Sequence, residues 1–234
     1  MNHWVTEVAR RLLFPIHQQS ADLPVADIMK SKIAALFATL ALAGAAQAAP
    51  TYLPVGAQTN VDINNVLNGG WTQCYVGTMA QPIGSAAQNV LSACTGDYLM
   101  MAGRATGSDT LLSLAAALRS DAIFNTGANS SNTHVANGAN WYFAPNWSWG
   151  FTALGDTVSL GQCDTSNSPS SMCLHTFDIY GGYRINNIAG LNDSADYQKI
   201  FFQASAAQVP EPATLALAGL ALVGVAVSRR RKSA

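Results

Sequence analysis

The sequence predicts an all-β ectodomain, an antiparallel β-sandwich or a jelly-roll-like fold, flanked by an N-terminal signal peptide and a C-terminal transmembrane helix. Three observations predict it. The body, residues 49–209, is rich in Asn, Gly and Ser and nearly free of Lys, a composition that suits turns between strands better than helices. Within it, aromatic and small residues alternate with the period of a strand. Outside it, apolar runs stand at Ile33–Ala49 and Ala213–Val227 and account for much of the 49% hydrophobic content beside only 11% charge.

The first element is "MKSKIAALFATLALAGAAQA", which begins at the internal Met29. Lys30 and Lys32 form a basic start, Ile33–Leu42 an apolar stretch, and Ala46 and Ala48 place small side chains around Gln47. This is a secretory signal peptide, residues 29–48, with cleavage by signal peptidase expected between Ala48 and Ala49. Residues 1–28 have no part in it. Translation is expected to start at Met29, and the alternative is an extended n-region.

The body, about 160 residues, is long enough for one domain with a core of its own. It carries Arg104, Arg119, Arg184 and Lys199 against nine aspartates and no glutamate, a net charge near −5. Nucleic acid is therefore excluded as a partner. Cys74, Cys94, Cys163 and Cys173 all lie here, and an even set in an exported chain reads as disulfides. Of the three possible connectivities, sequence proximity favours Cys74–Cys94 and Cys163–Cys173. Zinc is rejected because the spacings are wide and His175 is the sole nearby imidazole, so no metal or other cofactor is implied.

Strands are expected where alternation is clearest. "NWSWGFTALGDTVSL" sets Trp147, Trp149 and Phe151 opposite Ser148, Gly150 and Thr152, a half-buried strand, with a turn at Gly155–Asp156 and a second strand at Thr157–Leu160. "HTFDIYGGYRIN" repeats the pattern around a Gly181–Gly182 turn, and "YQKIFFQAS" forms the last strand. Asp109–Phe124, rich in Leu and Ala, fits a helix capped by Ser108 or Asp109 as well as a strand. No internal period points to a solenoid or propeller.

The tail is the most specific signal. Ala213–Val227 gives about 22 Å of helix against a hydrocarbon core of about 30 Å, a short span within a transmembrane segment drawn over residues 213–228. Arg229–Lys232, in the basic tail 229–234, hold that end in the cytoplasm and leave the body outside. Pro210 and Pro212 keep Glu211 in an extended segment at the membrane surface.

Val209-Pro210-Glu211-Pro212, the Ala/Leu/Gly-rich run and the terminal basic cluster together resemble the PEP-CTERM sorting signal of exported bacterial proteins. The resemblance covers only about the last 25 residues. It implies that Pro210, Glu211 and Pro212 are recognised by a membrane-embedded transpeptidase, the exosortase, which removes the tail. It also implies a host that secretes exopolysaccharide, so exopolysaccharide is the expected partner, with the membrane holding the chain before processing and the cell surface or extracellular matrix as its destination.

The search for catalysis is mostly negative. G-x-S-x-G, H-E-x-x-H and the P-loop are missing, and the body holds only His134 and His175, each read as a hydrogen-bonded structural residue. Two aspartates of a hydrolase pair remain a third reading. Asp62, Asn64, Asn68, Asp193 and Asp196 offer oxygen ligands for calcium, but Gln73 stands where an EF-hand needs glutamate, and Asx-turns explain these residues more simply. For recognition the sequence offers Trp141, Tyr142, Phe143, Trp147, Trp149 and Phe151 beside Asn137, Asn140 and Asn146, rings and amides suited to stacking on sugars. A hydrophobic core with Asn in the turns is favoured over that carbohydrate-binding module. The expected function is that of a non-enzymatic exported surface or matrix protein associated with exopolysaccharide.

Overall fold

Residues 49–159 and 163–206 are described by the structure, a computed structural model. Alternation of side chains across extended backbone assigns them to two antiparallel sheets. The first contains β1 (Val61–Asp62), β2 (Thr72–Thr78), β3 (Tyr98–Ala105), β4 (Thr110–Leu118) and the last strand, β11 (Tyr197–Ala204), in the order β1-β4-β3-β11-β2. The second contains β5 (His134–Ala136), β6 (Ala139–Phe143), β7 (Ser148–Ala153), β8 (Met172–His175), β9 (Gly182–Ile185) and β10 (Ile188–Ala189), each paired with its neighbour in the chain. The architecture is a β-sandwich whose second sheet is a plain meander. Three short helices accompany it: α1 (Ile63–Asn68), α2 (Gln88–Ala93) and α3 (Arg119–Ala122).

The last strand enters the middle of its sheet, between β3 and β2. Phe201 is paired with Met101 on one side and Tyr75 on the other. Phe201, Met101 and Ala115 face the second sheet, where Trp141, Phe143, Trp149 and Phe151 meet them in the main core. The Trp149 and Phe201 rings stack across the two sheets with centroids 5.0 Å apart.

The opposite face of the first sheet is also apolar. Met100, Ala102, Leu114, Ala116, Ile200 and Phe202 pack under Ile63 and Val66 of α1 and under Trp71. α1 is placed by its cap: the Asp62 carboxylate accepts the Asn64 backbone N–H at 2.8 Å. This second core resolves the Asp109–Phe124 segment, which is strand β4 as far as Leu118 and then the single turn α3. A strand buried on both faces has no apolar/polar alternation, so its Leu/Ala run carries no period of two.

Two expected turns differ from the structure. Thr157–Leu160 is not a sheet strand: Val158 makes one isolated bridge to Thr165, and Leu160 lies outside the described residues. The connection after β8 is not a Gly181–Gly182 turn but the longer loop 176–181, with Gly182 already paired to Leu174. Thr176 causes the departure. Its hydroxyl donates to the Ala144 carbonyl at 2.6 Å and accepts the Trp147 N–H at 2.7 Å, drawing the chain out of the hairpin path.

β5 and β6 are joined by Asn137 and Gly138, at φ of 44° and 75°. That left-handed pair matches the twist of the flanking strands. The Asn137 amide then ties the hairpin to the first sheet through the Pro54 and Ala116 carbonyls, at 2.8 and 2.9 Å.

Candidate functional site

The aromatic cluster singled out in the sequence forms core. Trp141, Tyr142, Trp149 and Phe151 are buried, and only Trp147 is half-buried. Stacking on a sugar needs an exposed ring face, and the four buried rings present none. The neighbouring amides are likewise committed, since Asn140 donates to the Ala153 and Asp156 carbonyls at 3.1 and 3.3 Å.

β7 is buried on both sides rather than half-buried. Its inner side meets the main core; on the other, Tyr142 packs with Val158, Cys163 and Cys173. The Tyr142 ring lies across Gly150, its register partner, so a Cβ at residue 150 would run into that ring and the Met172 carbonyl. The Tyr142 hydroxyl donates to the Met172 carbonyl at 3.2 Å, and burial pushes its pKa up.

The disulfides join Cys74 to Cys94 and Cys163 to Cys173, with Cα atoms 5.2 and 5.3 Å apart. Cys163–Cys173 fastens the excursion between β7 and β8 to the second sheet. Cys74–Cys94 fastens α2 beside edge strand β2, where the pairing with β11 shifts register.

The candidate ligands and acid–base groups are spent on local structure. Asp62 caps α1, and the Asp156 carboxylate accepts the Thr152 hydroxyl at 2.6 Å. The Asp97 carboxylate accepts the Ala206 N–H at 2.7 Å. Asn68, Asp193 and Asp196 are exposed, and among the described residues no three or more His, Cys, Asp or Glu side chains gather into a metal-sized group. His134 begins β5 rather than lying in a loop; it pairs with Asp121 at 3.0 Å and stacks on Phe124 with centroids 4.4 Å apart.

A second aromatic group, passed over in the sequence, surrounds the end of β8. The His175 ring lies 4.9 Å from Phe177, 5.7 Å from Tyr180 and 6.2 Å from Tyr183, centroid to centroid. Phe177 meets Tyr180 edge-on at 5.8 Å. Arg184 lies over the Tyr183 ring, 5.6 Å from its centroid. Unlike the core cluster, this one reaches solvent: Ile179 is 74% and Tyr180 41% exposed. His175 Nε2 is 2.9 Å from the Asn192 side-chain oxygen. Burial lowers the His175 pKa, the hydrogen bond to Asn192 opposes that, and the Lys199 cation adds to the lowering. The available signal was density: His175, Phe177, Tyr180 and Tyr183 fall within nine residues that include the Gly181–Gly182 pair.

Lys199 itself is buried, and its amine donates to the Thr78 and Gln81 carbonyls. Burial brings its pKa down from 10.5 to about 7. Among the described residues no carboxylate forms an ion pair with it.

The described residues lie between the two processing segments. Among them, the Tyr52 N–H donates to the Gly69 carbonyl at 3.2 Å near the N-terminal end, and the Ala206 N–H donates to the Asp97 carboxylate at the C-terminal end. Residues 1–48, including the signal peptide, and residues 207–234, including Pro210, Glu211, Pro212 and the expected membrane helix, lie outside the described residues. Among those described, no helix is long and apolar enough to cross a membrane.

The family model of the PEP-CTERM protein-sorting motif matches residues 208–232. The motif marks the chain for export and for processing by an exosortase. No curated protein and no solved structure matches the chain.

Proposed function

We propose that the chain is a surface or matrix protein whose folded part associates with exopolysaccharide and carries out no catalysis. The observation that carries this reading is the sorting motif at residues 208–232, directly beyond a sandwich closed by two disulfides. Disulfides suit a domain that must persist outside the cell without a chaperone. Non-catalysis is supported by how the polar side chains are used: Asp62, Asp97 and Asp156 accept from N–H or hydroxyl donors of the fold, and His134 and His175 are each hydrogen-bonded to one side chain, Asp121 and Asn192. An acid–base pair would need free groups converging on a cavity.

The test is co-sedimentation of the exported protein with polysaccharide purified from the producing cells. Expected is pelleting with the polymer that soluble polymer competes away. A protein that stays wholly in the supernatant overturns the association.

A further inference from the structure

We propose that the solvent-facing cluster of Phe177, Tyr180 and Tyr183 around His175, with Asn192 at its edge, is a binding site for an uncharged pyranose glycan. The proposal rests on the polysaccharide reading above and gives it an address on the molecule.

Three observations carry it. The first is exposure. In a protein whose tryptophans at 141 and 149 are buried, the 176–181 loop holds Ile179 and Tyr180 out in water at 74% and 41% exposure. Apolar groups clustered on a surface mark a contact site far more often than single exposed ones do. The loop is also fixed from beneath, because the Thr176 carbonyl accepts the Ala86 N–H at 2.9 Å and the Thr176 hydroxyl binds Ala144. The start of the loop is thereby anchored, and the Phe177 and Tyr180 rings meet each other and His175, which lowers the ordering cost of binding.

The second is chemical alternation. Ring faces with negative quadrupoles stand beside polar edges: the tyrosine hydroxyls, the Asn192 amide and the exposed Asp178 and Asp193 carboxylates. A pyranose has the complementary surface. Its axial C–H bonds form a weakly positive apolar face, and its equatorial hydroxyls form a rim that donates and accepts hydrogen bonds. An apolar lipid chain would leave those polar edges without partners.

The third is charge. Four cations against nine aspartates give the body a net charge near −5; Asp178 and Asp193 adjoin the cluster in sequence while Arg184 lies over its Tyr183 ring, so the field is set by the body's excess of carboxylates. This field repels polyuronates and sulfated polymers at moderate ionic strength, which leaves the neutral glycans.

The experiment titrates the exported protein, purified from the producing cells, with neutral hexaoses of glucose, galactose, mannose, xylose and N-acetylglucosamine and with an oligouronate. Binding is read by saturation-transfer NMR and calorimetry. At least one neutral hexaose is expected to bind, and the oligouronate to bind at least about tenfold more weakly. Tyr180→Ala and Phe177→Ala should each weaken binding by about tenfold, the loss of one good ring contact. Tyr180→Phe, which keeps the ring and loses the hydroxyl, should weaken binding less than Tyr180→Ala does, and Phe124→Ala on another element should stay close to wild type.

If wild type pellets with the producer's polysaccharide but Tyr180→Ala and Phe177→Ala pellet equally well, this site is refuted and the polysaccharide reading stands. If wild type binds no glycan at all, both fall. Tighter binding of the oligouronate refutes the charge argument and the assignment with it. So does a dimer, seen in sedimentation velocity without glycan, that Tyr180→Ala dissolves.

Discussion

The Lys199 amine donates to the Thr78 carbonyl at 2.5 Å, 121 residues away in sequence, and so pins the end of β2 and the turn after it to the central strand β11. No carboxylate shares the site among the described residues, so the protein bears the cost of a buried amine through a lowered pKa.

That cost sets a pH dependence. The folded-state value is about 7 against 10.5 for the free side chain, so the unfolded chain binds more protons between those limits. Stability should rise with pH across this window, stand in full above the unfolded value, and be lost as pH falls toward the folded value. Urea midpoints at about pH 6.5 and about pH 9.5 should therefore differ in wild type, while Lys199→Met should flatten the difference. A variant with an unchanged slope would show that Lys199 is not its source.

The Cys163–Cys173 bond closes a short loop over Tyr142 and Gly150. Replacing both cysteines by serine should lower stability by about 2–4 kcal/mol and expose the Tyr142 hydroxyl to solvent. Thermal unfolding gives the first quantity. The second is read by tyrosine nitration mapped by mass spectrometry, with Tyr142 protected in wild type and labelled in the double variant. Equal protection in both would mean that Val158 and the Arg184 bonds to Cys163 and Ser168 hold the excursion in place without the disulfide.

Cleavage at the expected signal site would leave every described residue on the mature protein. Tyr52, whose N–H bonds Gly69 and whose carbonyl accepts the Trp71 indole at 2.6 Å, lies three residues beyond Ala49. N-terminal sequencing of the exported protein should therefore begin at Ala49. A start at Met1 or Met29 would contradict the signal-peptide assignment.

Legibility tracked the physics of each segment. The second sheet was readable because β7 and its neighbours set large rings against small residues with a period of two, and the disulfides because each pair closes a short loop. β4 was ambiguous because both of its faces are apolar, one toward Phe201 and one toward Val66, and double burial erases the period. The Trp141–Phe151 cluster was found but its exposure was not, since alternation says which residues share a face and not what covers it. A core was the favoured reading of this cluster, and for Tyr142 the cover comes from the Cys163–Cys173 excursion, distant in sequence. The His175 cluster depends on the path of loop 176–181, which Thr176 determines through contacts to Ala144, Trp147 and Ala86.

The tail supplies the sharpest test of sorting. The described residues of the sandwich reach Ala206, four residues before Pro210, so a cut after the motif leaves all of them on the exported product. The prolines fix an extended backbone that a protease cleft can hold, and Glu211 is the one carboxylate between Asp196 and the C-terminus. Glu211→Gln keeps size and hydrogen-bonding capacity while removing the charge, so insertion through the apolar run and Arg229–Lys232 should be unaffected and recognition lost. In the native host, wild type is expected to lose the segment after the motif and leave the inner membrane. The variant should remain there with its tail uncut. Mass spectrometry and membrane fractionation read the two outcomes separately, and equal processing of both proteins would show that the exosortase does not depend on the Glu211 charge.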